Sequence, residues 1–135
     1  MALQYSVTVR NAKLDAVETA IGTSAVLKIR TGAPPADCAT ADSGTVLATL
    51  TLPSDWMAAA SSGSKAKSGT WEDTSADATG TAAHFRIYAS DGTTVHAQGT
   101  ITPTSGGGDM ELDNTSIASG QSVTITGFTL TAGNA

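Results

Sequence analysis

The stretch Thr81–Ile101, TAAHFRIYASDGTTVHAQGTI, predicts a β-hairpin on which we expect the core of the fold to be built. Up to Ala89, apolar residues alternate with polar ones, which is the two-residue period of a strand with one buried face. The alternation resumes at Val95 and continues to the end of the stretch. Asp91-Gly92 between the two halves is a typical turn sequence. The pattern therefore predicts two antiparallel strands joined by a tight turn.

The register of this hairpin follows from keeping the apolar side chains on one face. A two-residue loop would pair Ile87 with His96 and would mix apolar and polar side chains. A three-residue loop, Ser90–Gly92, pairs Ile87 with Val95 instead and places its glycine at the left-handed position of a G1 bulge. The sequence therefore predicts the three-residue loop and an outer polar face formed by His84, Arg86, Tyr88, His96 and Gln98.

The other segments with a regular period are mostly strands. Apolar residues alternate from Leu3 to Val9, which predicts a first strand with an odd-numbered core face. Apolar residues three and four apart then predict a helix that begins at a cap on Asn11 and ends at Gly22. Alternation also predicts strands over residues 24–30, 45–52, 109–113 and 121–131. The last of these changes its apolar positions from odd to even numbers, which predicts a β-bulge at Gly127.

These elements predict an all-β fold. We expect residues 1–135 to form a single-domain two-sheet β-sandwich, jelly-roll-like, with about seven strands and one short N-terminal helix. Residues 31–44 form a loop that carries Asp37 and Asp42. The interval at about residues 54–80 is rich in Ala, Ser, Gly and Thr, so we expect a long flexible loop or arm there.

Composition limits the kinds of partner. With a net charge of −5 and scattered Lys and Arg residues, the chain is not expected to bind nucleic acid. No apolar run has the length of a signal peptide core or a transmembrane segment, so we expect folding in the cytoplasm and no membrane partner. Cys38 is the single cysteine, which excludes an internal disulfide. Leu, Ile, Val and Phe make up about a sixth of the chain, which predicts a thin core stabilised by neighbours in an assembly.

Few residues suit catalysis or metal binding. The hairpin register places His84 and His96 diagonally on one face, close enough to share a metal, but no third ligand is evident. Asp109–Asp113 offers oxygen ligands without the spacing of a known calcium loop, and it also suits a solvated strand face. The sequence has neither a Gly-x-Ser-x-Gly elbow nor a phosphate loop. We therefore expect no enzymatic activity and no cofactor, and assign no catalytic or metal residue, while both metal questions stay open.

The interval at residues 54–80 contains the strongest candidates for contact with a partner. Both tryptophans lie there, and core or interface anchoring is favoured over a sugar-stacking platform because the chain has few other large residues. Two lysines lie at the tip of the interval, in SSGSKAKSG. With two residues from the outer face of the hairpin added, the candidate interface residues are Trp56, Met57, Lys65, Lys67, Trp71, Arg86 and Tyr88.

Three runs of the sequence, taken together, resemble a family of small virion structural proteins of tailed bacteriophages. They are LKIRTGAPPADCATADSGTVLATLTLP, TGTAAHFRIYASDGTTVHAQGTI and GGGDMELDNTSIASGQSVTITGFTLTAG, and they cover most of residues 24–133. The resemblance implies a capsid decoration or cement protein in the virion, or else a small head–tail or tail component. It implies no catalytic residues.

The partner implied by this resemblance is the major capsid protein of the same phage. We also expect self-association into a dimer or trimer, because an acidic, thin-cored domain suits symmetric assembly. In this interpretation the arm orders on the shell and bridges capsomers, after assembly in the host cytoplasm. Deletion of residues 61–68 should then weaken shell binding without unfolding the domain. A carbohydrate-binding module on the virion surface is an alternative.

Overall fold

A computed structural model describes residues 2–133, and in this part of the chain it contains one helix and eleven strands. The helix is α1 (Val7–Ile21). The strands are β1 (Val26–Arg30), β2 (Val46–Thr51), β3 (Ser64–Ala66), β4 (Trp71–Asp73), β5 (Gly80–Thr81), β6 (His84–Tyr88), β7 (Val95–Pro103), β8 (Met110–Leu112), β9 (Ser116–Ile117), β10 (Val123–Ile125) and β11 (Thr129–Thr131).

Helix α1 begins earlier than its apolar spacing predicts. The side chain of Ser6, its N-cap, accepts a hydrogen bond from the Val9 N–H at 3.3 Å and so satisfies one of the unpaired donors of the first turn. The predicted strand from Leu3 to Val9 is therefore wrong, because residues 2–6 have no regular structure and the following residues are helical. The predicted end is confirmed, since Gly22 has a positive φ of 94° that glycine adopts at low cost.

The largest sheet has five strands in the order β2-β1-β6-β7-β8. Adjacent strands from β2 to β7 are antiparallel to one another, whereas β8 runs parallel to β7. The strands predicted over residues 24–30 and 45–52 are confirmed with shorter bounds, and Ala25, Leu27 and Ile29 are fully buried as expected. The hairpin β6–β7 lies at the centre of this sheet, so the sequence indicated the organising element correctly.

The register of the hairpin differs from the predicted one. Ile87 pairs with Ala97 rather than with Val95, and Tyr88 pairs with Val95. Between these two pairs β7 holds one residue more than β6, so His96 is the extra residue of a β-bulge. The bulge lets Ile87 and Ala97 share the core face, while Val95 lies opposite Tyr88.

The turn of the hairpin is longer than three residues. The N–H of Ala89 donates to the Thr94 carbonyl at 2.9 Å, which closes the loop one residue later than predicted. The Asp91 carboxylate accepts hydrogen bonds from the N–H groups of Thr93 and Thr94, at 2.8 and 2.9 Å, and so orders the residues that the three-residue loop assigned to a strand. Gly92 has the predicted left-handed conformation, with a φ of 70°.

The predicted outer face of the hairpin is not a solvent face. Three of its members, His84, Arg86 and Tyr88, are at most 1% exposed. The loop over residues 31–44 lies against them, and it supplies the carbonyls and the carboxylate that pair with their polar atoms. Strand β6 is therefore buried on both faces. A two-residue period indicates which residues share a face of the strand, but it does not indicate whether a distant loop covers that face.

Three two-stranded sheets complete the β-structure. They pair β4 with β10, β3 with β11 and β5 with β9, all antiparallel. The single strand predicted over residues 121–131 is thus two strands with different partners, and the predicted bulge at Gly127 is wrong. A change of partner, rather than a bulge, moves the buried positions from Val123 and Ile125 to Phe128.

The core contains a row of aromatic rings. Trp71 lies 5.9 Å from Trp56 and 5.8 Å from Phe128, measured between ring centroids, and Phe128 meets Phe85 edge-on at 5.8 Å. The interval at residues 54–80 therefore contributes core side chains and contains β3 and β4. Its flexibility stays a prediction. The fold is β-rich, with one helix, one curled five-stranded sheet and three small sheets.

Candidate functional site

Six of the seven predicted interface residues are buried inside the chain. Lys67 alone among them keeps a partly exposed side chain, and its Nζ donates to the Gly69 carbonyl at 2.7 Å. Side chains that are at most 2% exposed do not reach a partner in this conformation, so these residues act within the fold. They are Trp56, Met57, Lys65, Trp71, Arg86 and Tyr88.

The two tryptophans anchor the core, which confirms the favoured use of these residues. Trp56 and Trp71 are 1% and 0% exposed. Their Nε1–H groups donate to the carbonyls of Gly22 and Ser68, at 2.9 and 3.1 Å. A sugar-stacking platform requires an indole face open to solvent, and neither tryptophan offers one here.

Lys65 joins helix α1 to the segment that carries β3. Its ammonium group contacts the carboxylates of Asp15 and Glu18, at 2.8 and 2.9 Å, and donates to the Ala58 carbonyl at 2.9 Å. Burial lowers the pKa of Lys65, but the hydrogen bonds and charges of the two acids outweigh burial and raise it above its ordinary value. The lysine is therefore a buried structural cation, not a surface contact.

Arg86 is the centre of a polar cluster beneath the loop over residues 31–44. Its guanidinium donates to Asp42 at 2.8 Å, to the Asp37 carbonyl at 2.8 Å and to the Gln98 side chain at 2.8 and 3.1 Å. Asp42 also accepts from Arg30 at 2.7 Å. Although burial raises the pKa of Asp42, hydrogen bonds from Tyr88 and Arg86 and the charges of both arginines hold it below its ordinary value. The cluster fixes the loop to the sheet.

His84 lies at the edge of this cluster and is fully buried. Its Nδ1 is 2.7 Å from the Gly32 carbonyl, which identifies Nδ1 as the protonated nitrogen, while Nε2 has no partner. Burial is the main cause of a lowered pKa for His84, and the positive charges of Arg30 and Arg86 act in the same direction.

The structure does not support either metal hypothesis. In the observed register His84 pairs with Thr100, and the pair of Arg86 and Gln98 separates it from the exposed His96. The carboxylates of Asp109 and Glu111 accept hydrogen bonds from neighbouring backbone N–H groups. Within residues 2–133, no group of three or more His, Cys, Asp or Glu side chains is placed to hold one ion.

The surface feature that sequence reasoning missed is apolar. Five large apolar side chains near the start of the chain are exposed, and we call them the outer apolar surface. They are Leu3 (72%), Val7 (49%), Val9 (42%), Tyr5 (41%) and Val17 (36%).

The exposed face of α1 extends this surface. Its inner face is attached through buried Leu14 and Ile21 and through polar bonds to residues 57–65. The opposite face carries Val9, Ala12, Ala16 and Ala20, spaced three or four residues apart, all exposed. A helix that is apolar on both sides is typical of one that is covered on both sides.

No family model, curated protein or solved structure matches this chain. Of the helices that the structure describes, none has the length and apolarity needed to cross a membrane. The candidate functional site is therefore defined by geometry alone: the outer apolar surface together with the exposed face of α1.

A signal for this site was present in the sequence. Leu3, Tyr5, Val7 and Val9 alternate as they do in a strand, and the alternation was interpreted as a core face. The helix cap at Ser6 interrupts that pattern. A serine followed by apolar residues is a typical start of a helix, and this signal distinguishes a helix that begins at Ser6 from a strand over Leu3–Val9.

Proposed function

We propose that this chain is a non-enzymatic structural protein of a tailed-phage virion that decorates the assembled capsid shell as a cement protein. The resemblance of three runs within residues 24–133 to small phage virion proteins supplies the class of particle. The exposed face of α1 carries the proposal, because apolar side chains exposed on one face of a helix are typical of a surface that a protein partner covers.

The mechanism is the docking of the exposed face of α1 between neighbouring copies of the major capsid protein, the proposed partner. A helix with an apolar face suits a groove with apolar walls, and burial of Val9 there contributes about 1.5–3 kcal/mol, with smaller contributions from the three alanines. A groove between capsomers exists only in the assembled lattice. The chain therefore binds the assembled lattice and not an isolated capsid subunit, and binding to one state only stabilises that state by mass action.

The body of the chain serves as a rigid support for this face. We propose that the curled five-stranded sheet and the small sheets form the two layers of a jelly-roll-like sandwich. The row of aromatic rings from Trp56 to Phe85 supports this, since it joins side chains of the central hairpin to those of the small sheets. An experimental structure tests this arrangement directly.

The proposal is tested by adding purified chain to particles that lack it and counting bound copies per copy of the major capsid protein. We expect saturable binding with a fixed ratio. Ala16→Glu places a charge at the middle of the exposed helix face and should weaken binding at least about tenfold. Ala118→Glu adds the same charge at an exposed turn position and should bind as the unaltered chain does.

Two outcomes would contradict the proposal. Absence of binding by the unaltered chain rejects shell decoration, and equal binding of both variants rejects the helix face as the contact. A small fixed number of copies per particle, far below the number of capsid subunits, would assign the chain to the head–tail junction or the tail instead.

A further inference from the structure

The residues before α1 form an exposed apolar segment, which we call the N-terminal arm (Ala2–Ser6). Leu3 exposes 72% of its surface, and Tyr5 exposes 41% even though Lys13 lies 4.7 Å from its ring centroid. Ser6 already has an extended backbone, with φ −62° and ψ 160°. In an extended segment residues two apart point to the same side, so Leu3 and Tyr5 present one apolar edge.

An apolar groove opens elsewhere on the same chain. It has a cavity volume of about 290 Å³, at the lower end of protein binding sites, which suits two or three side chains rather than a helix. It lies between the second half of α1, the central hairpin and β11. Its apolar lining includes Val17, Ile21, Phe85, Ile87, Ala97 and Leu130.

One wall of the groove is an unpaired strand edge. The Phe128 carbonyl accepts from Lys67, and the N–H of Ala132 donates to Gly63, so the even-numbered residues of β11 direct their backbone groups toward β3. Thr129 and Thr131 therefore direct theirs to the opposite side. No other described strand pairs there, because β3 and β11 form a two-stranded sheet. Both threonines line the groove.

Charge distinguishes the two surfaces. Residues 1–14 contain Arg10 and Lys13 and no acidic residue, so they carry +2, and the net charge of −5 leaves −7 on the rest of the chain. The groove carries one ionisable side chain, Asp109, which is exposed at its rim, with Glu111 on the adjoining surface. The arm itself has no charged side chain and adjoins the two cations of α1, whereas the groove is apolar with Asp109 at its rim.

We propose that the N-terminal arm of one copy adds as a strand to the free edge of β11 in a second copy, with Leu3 and Tyr5 in the apolar groove. Backbone hydrogen bonds to Thr129 and Thr131 supply affinity, and the groove selects the apolar side chains. The arm and the groove are different surfaces, so the contact is head-to-tail and builds a ring or a chain of copies. This goes beyond the proposed function, because it requires no shell.

The test uses two variants with matched controls. Leu3→Asp removes the apolar edge of the arm, and Gln4→Asp adds the same charge on the other side of the segment. Thr131→Pro removes the outward N–H of β11 without removing a bond to β3, and Thr131→Val keeps that N–H. If Thr131→Pro melts at a lower temperature than the unaltered chain, Thr129→Pro, which blocks the same edge, takes its place.

Sedimentation velocity of purified chain over a range of concentrations gives the readout. We expect the unaltered chain and both controls to associate as concentration rises, and Leu3→Asp and Thr131→Pro each to remain monomeric at those concentrations. An equal mixture of these two variants should form a dimer and no larger species, because it contains one intact arm and one intact edge per pair.

Several results would overturn the proposal: an unaltered chain that stays monomeric, as it would if each arm folded onto its own groove; blocked variants that associate normally; or a mixture that stays monomeric. None of these measurements involves a particle. Failure of self-association therefore leaves the shell-binding test unaffected, and failure of shell binding leaves this one unaffected.

Discussion

His84 is a fully buried residue whose charge state affects stability. Its Nε2 has no partner, and two guanidinium groups lie in the same cluster, so protonation would place a third cation beside Arg30 and Arg86. Asp42 is the carboxylate that opposes this effect, and the Gly32 carbonyl accepts from Nδ1 in the neutral form. The neutral form of His84 thus helps to hold the loop over residues 31–44 against the sheet.

We predict that acidification destabilises the chain through His84. The pKa of His84 is lowered from 6.5 in the folded state, so the unfolded state takes up the proton first. The free energy of unfolding is therefore highest above about pH 6.5 and falls as the pH decreases below that value. Urea unfolding at about pH 7.5 and about pH 5.5 measures the difference. His84→Gln should reduce this difference in the free energy of unfolding, whereas His96→Gln, at an exposed position, should not. A difference that stays unchanged in His84→Gln would disprove the role of His84.

Asp42 is the shared anion of the polar cluster, and its removal should be costly. Asp42→Ala leaves Arg30, Arg86 and the Tyr88 hydroxyl without their common acceptor. Breaking a fully buried pair costs about 3–5 kcal/mol, and we expect about 2 kcal/mol here because Asp42 remains 36% exposed. Chemical denaturation measures the change. Asp55→Ala, an exposed acid with no bond to another described residue, should stay within about 0.5 kcal/mol of the unaltered chain. Equal effects of the two substitutions would contradict this role.

At the level of single residues, the sequence indicated local features and missed those created by distant contacts. The left-handed Gly92 follows from turn chemistry, and the structure confirms it. The burial of His84 and Arg86 depends on a loop about fifty residues earlier in the chain, and no local period encodes that contact.

At the level of elements, α1 is attached by polar bonds as well as by the apolar packing of Leu14 and Ile21. Asn11 accepts from Gly63 N–H, Asp15 from Ala60 N–H, and Glu18 from Met57 N–H, at 2.8, 2.9 and 3.1 Å. The helix thus leaves an apolar face free for contact with a partner. The segment at residues 57–65 is the structural support of α1, so deletion of residues 61–68 should destabilise the fold rather than remove a dispensable arm.

Lys65→Met tests this attachment. The substitution keeps the length and apolar stem of the side chain but leaves Asp15 and Glu18 without their cation. We expect a loss of stability of about 1–2 kcal/mol, less than for a fully buried pair, because Asp15 and Glu18 keep 49% and 19% of their side-chain surface exposed. Hydrogen exchange of α1 should increase more than that of β1, and Lys67→Met is the control. Uniform change in exchange over the whole chain would indicate general destabilisation instead.

The elements that the sequence predicted well are those whose signals are local. The end of α1 at Gly22 and strands β1, β2 and β8 follow from caps and alternation. The two short strands β10 and β11 were merged into one because alternation does not indicate a change of partner. Residues Leu3–Val9 have the two-residue period of a strand, but the cap at Ser6 begins a helix there.

At the level of the whole molecule, the sequence predicted the β-rich class and a single early helix. The number of sheets and their layering were not predictable, since three two-stranded sheets form between segments far apart in sequence. Six of the seven candidate interface residues are buried, for a related reason. Core or interface anchoring was favoured for the two tryptophans, and the two lysines were expected at the tip of the interval. The fold has few large residues and buries both tryptophans and Lys65.

Two of the small sheets are completed by strands near the end of the described chain, so they form late during synthesis. Strands β3 and β4 receive their partners β11 and β10 from segments about 50 to 70 residues later. While the chain is being synthesised, the indole of Trp71 stays without Ile125 and Phe128 until translation has passed them. A polypeptide interrupted before that point has an open interior. Only copies that the ribosome has carried past residue 131 can pair β11 with β3 and close the body of the fold.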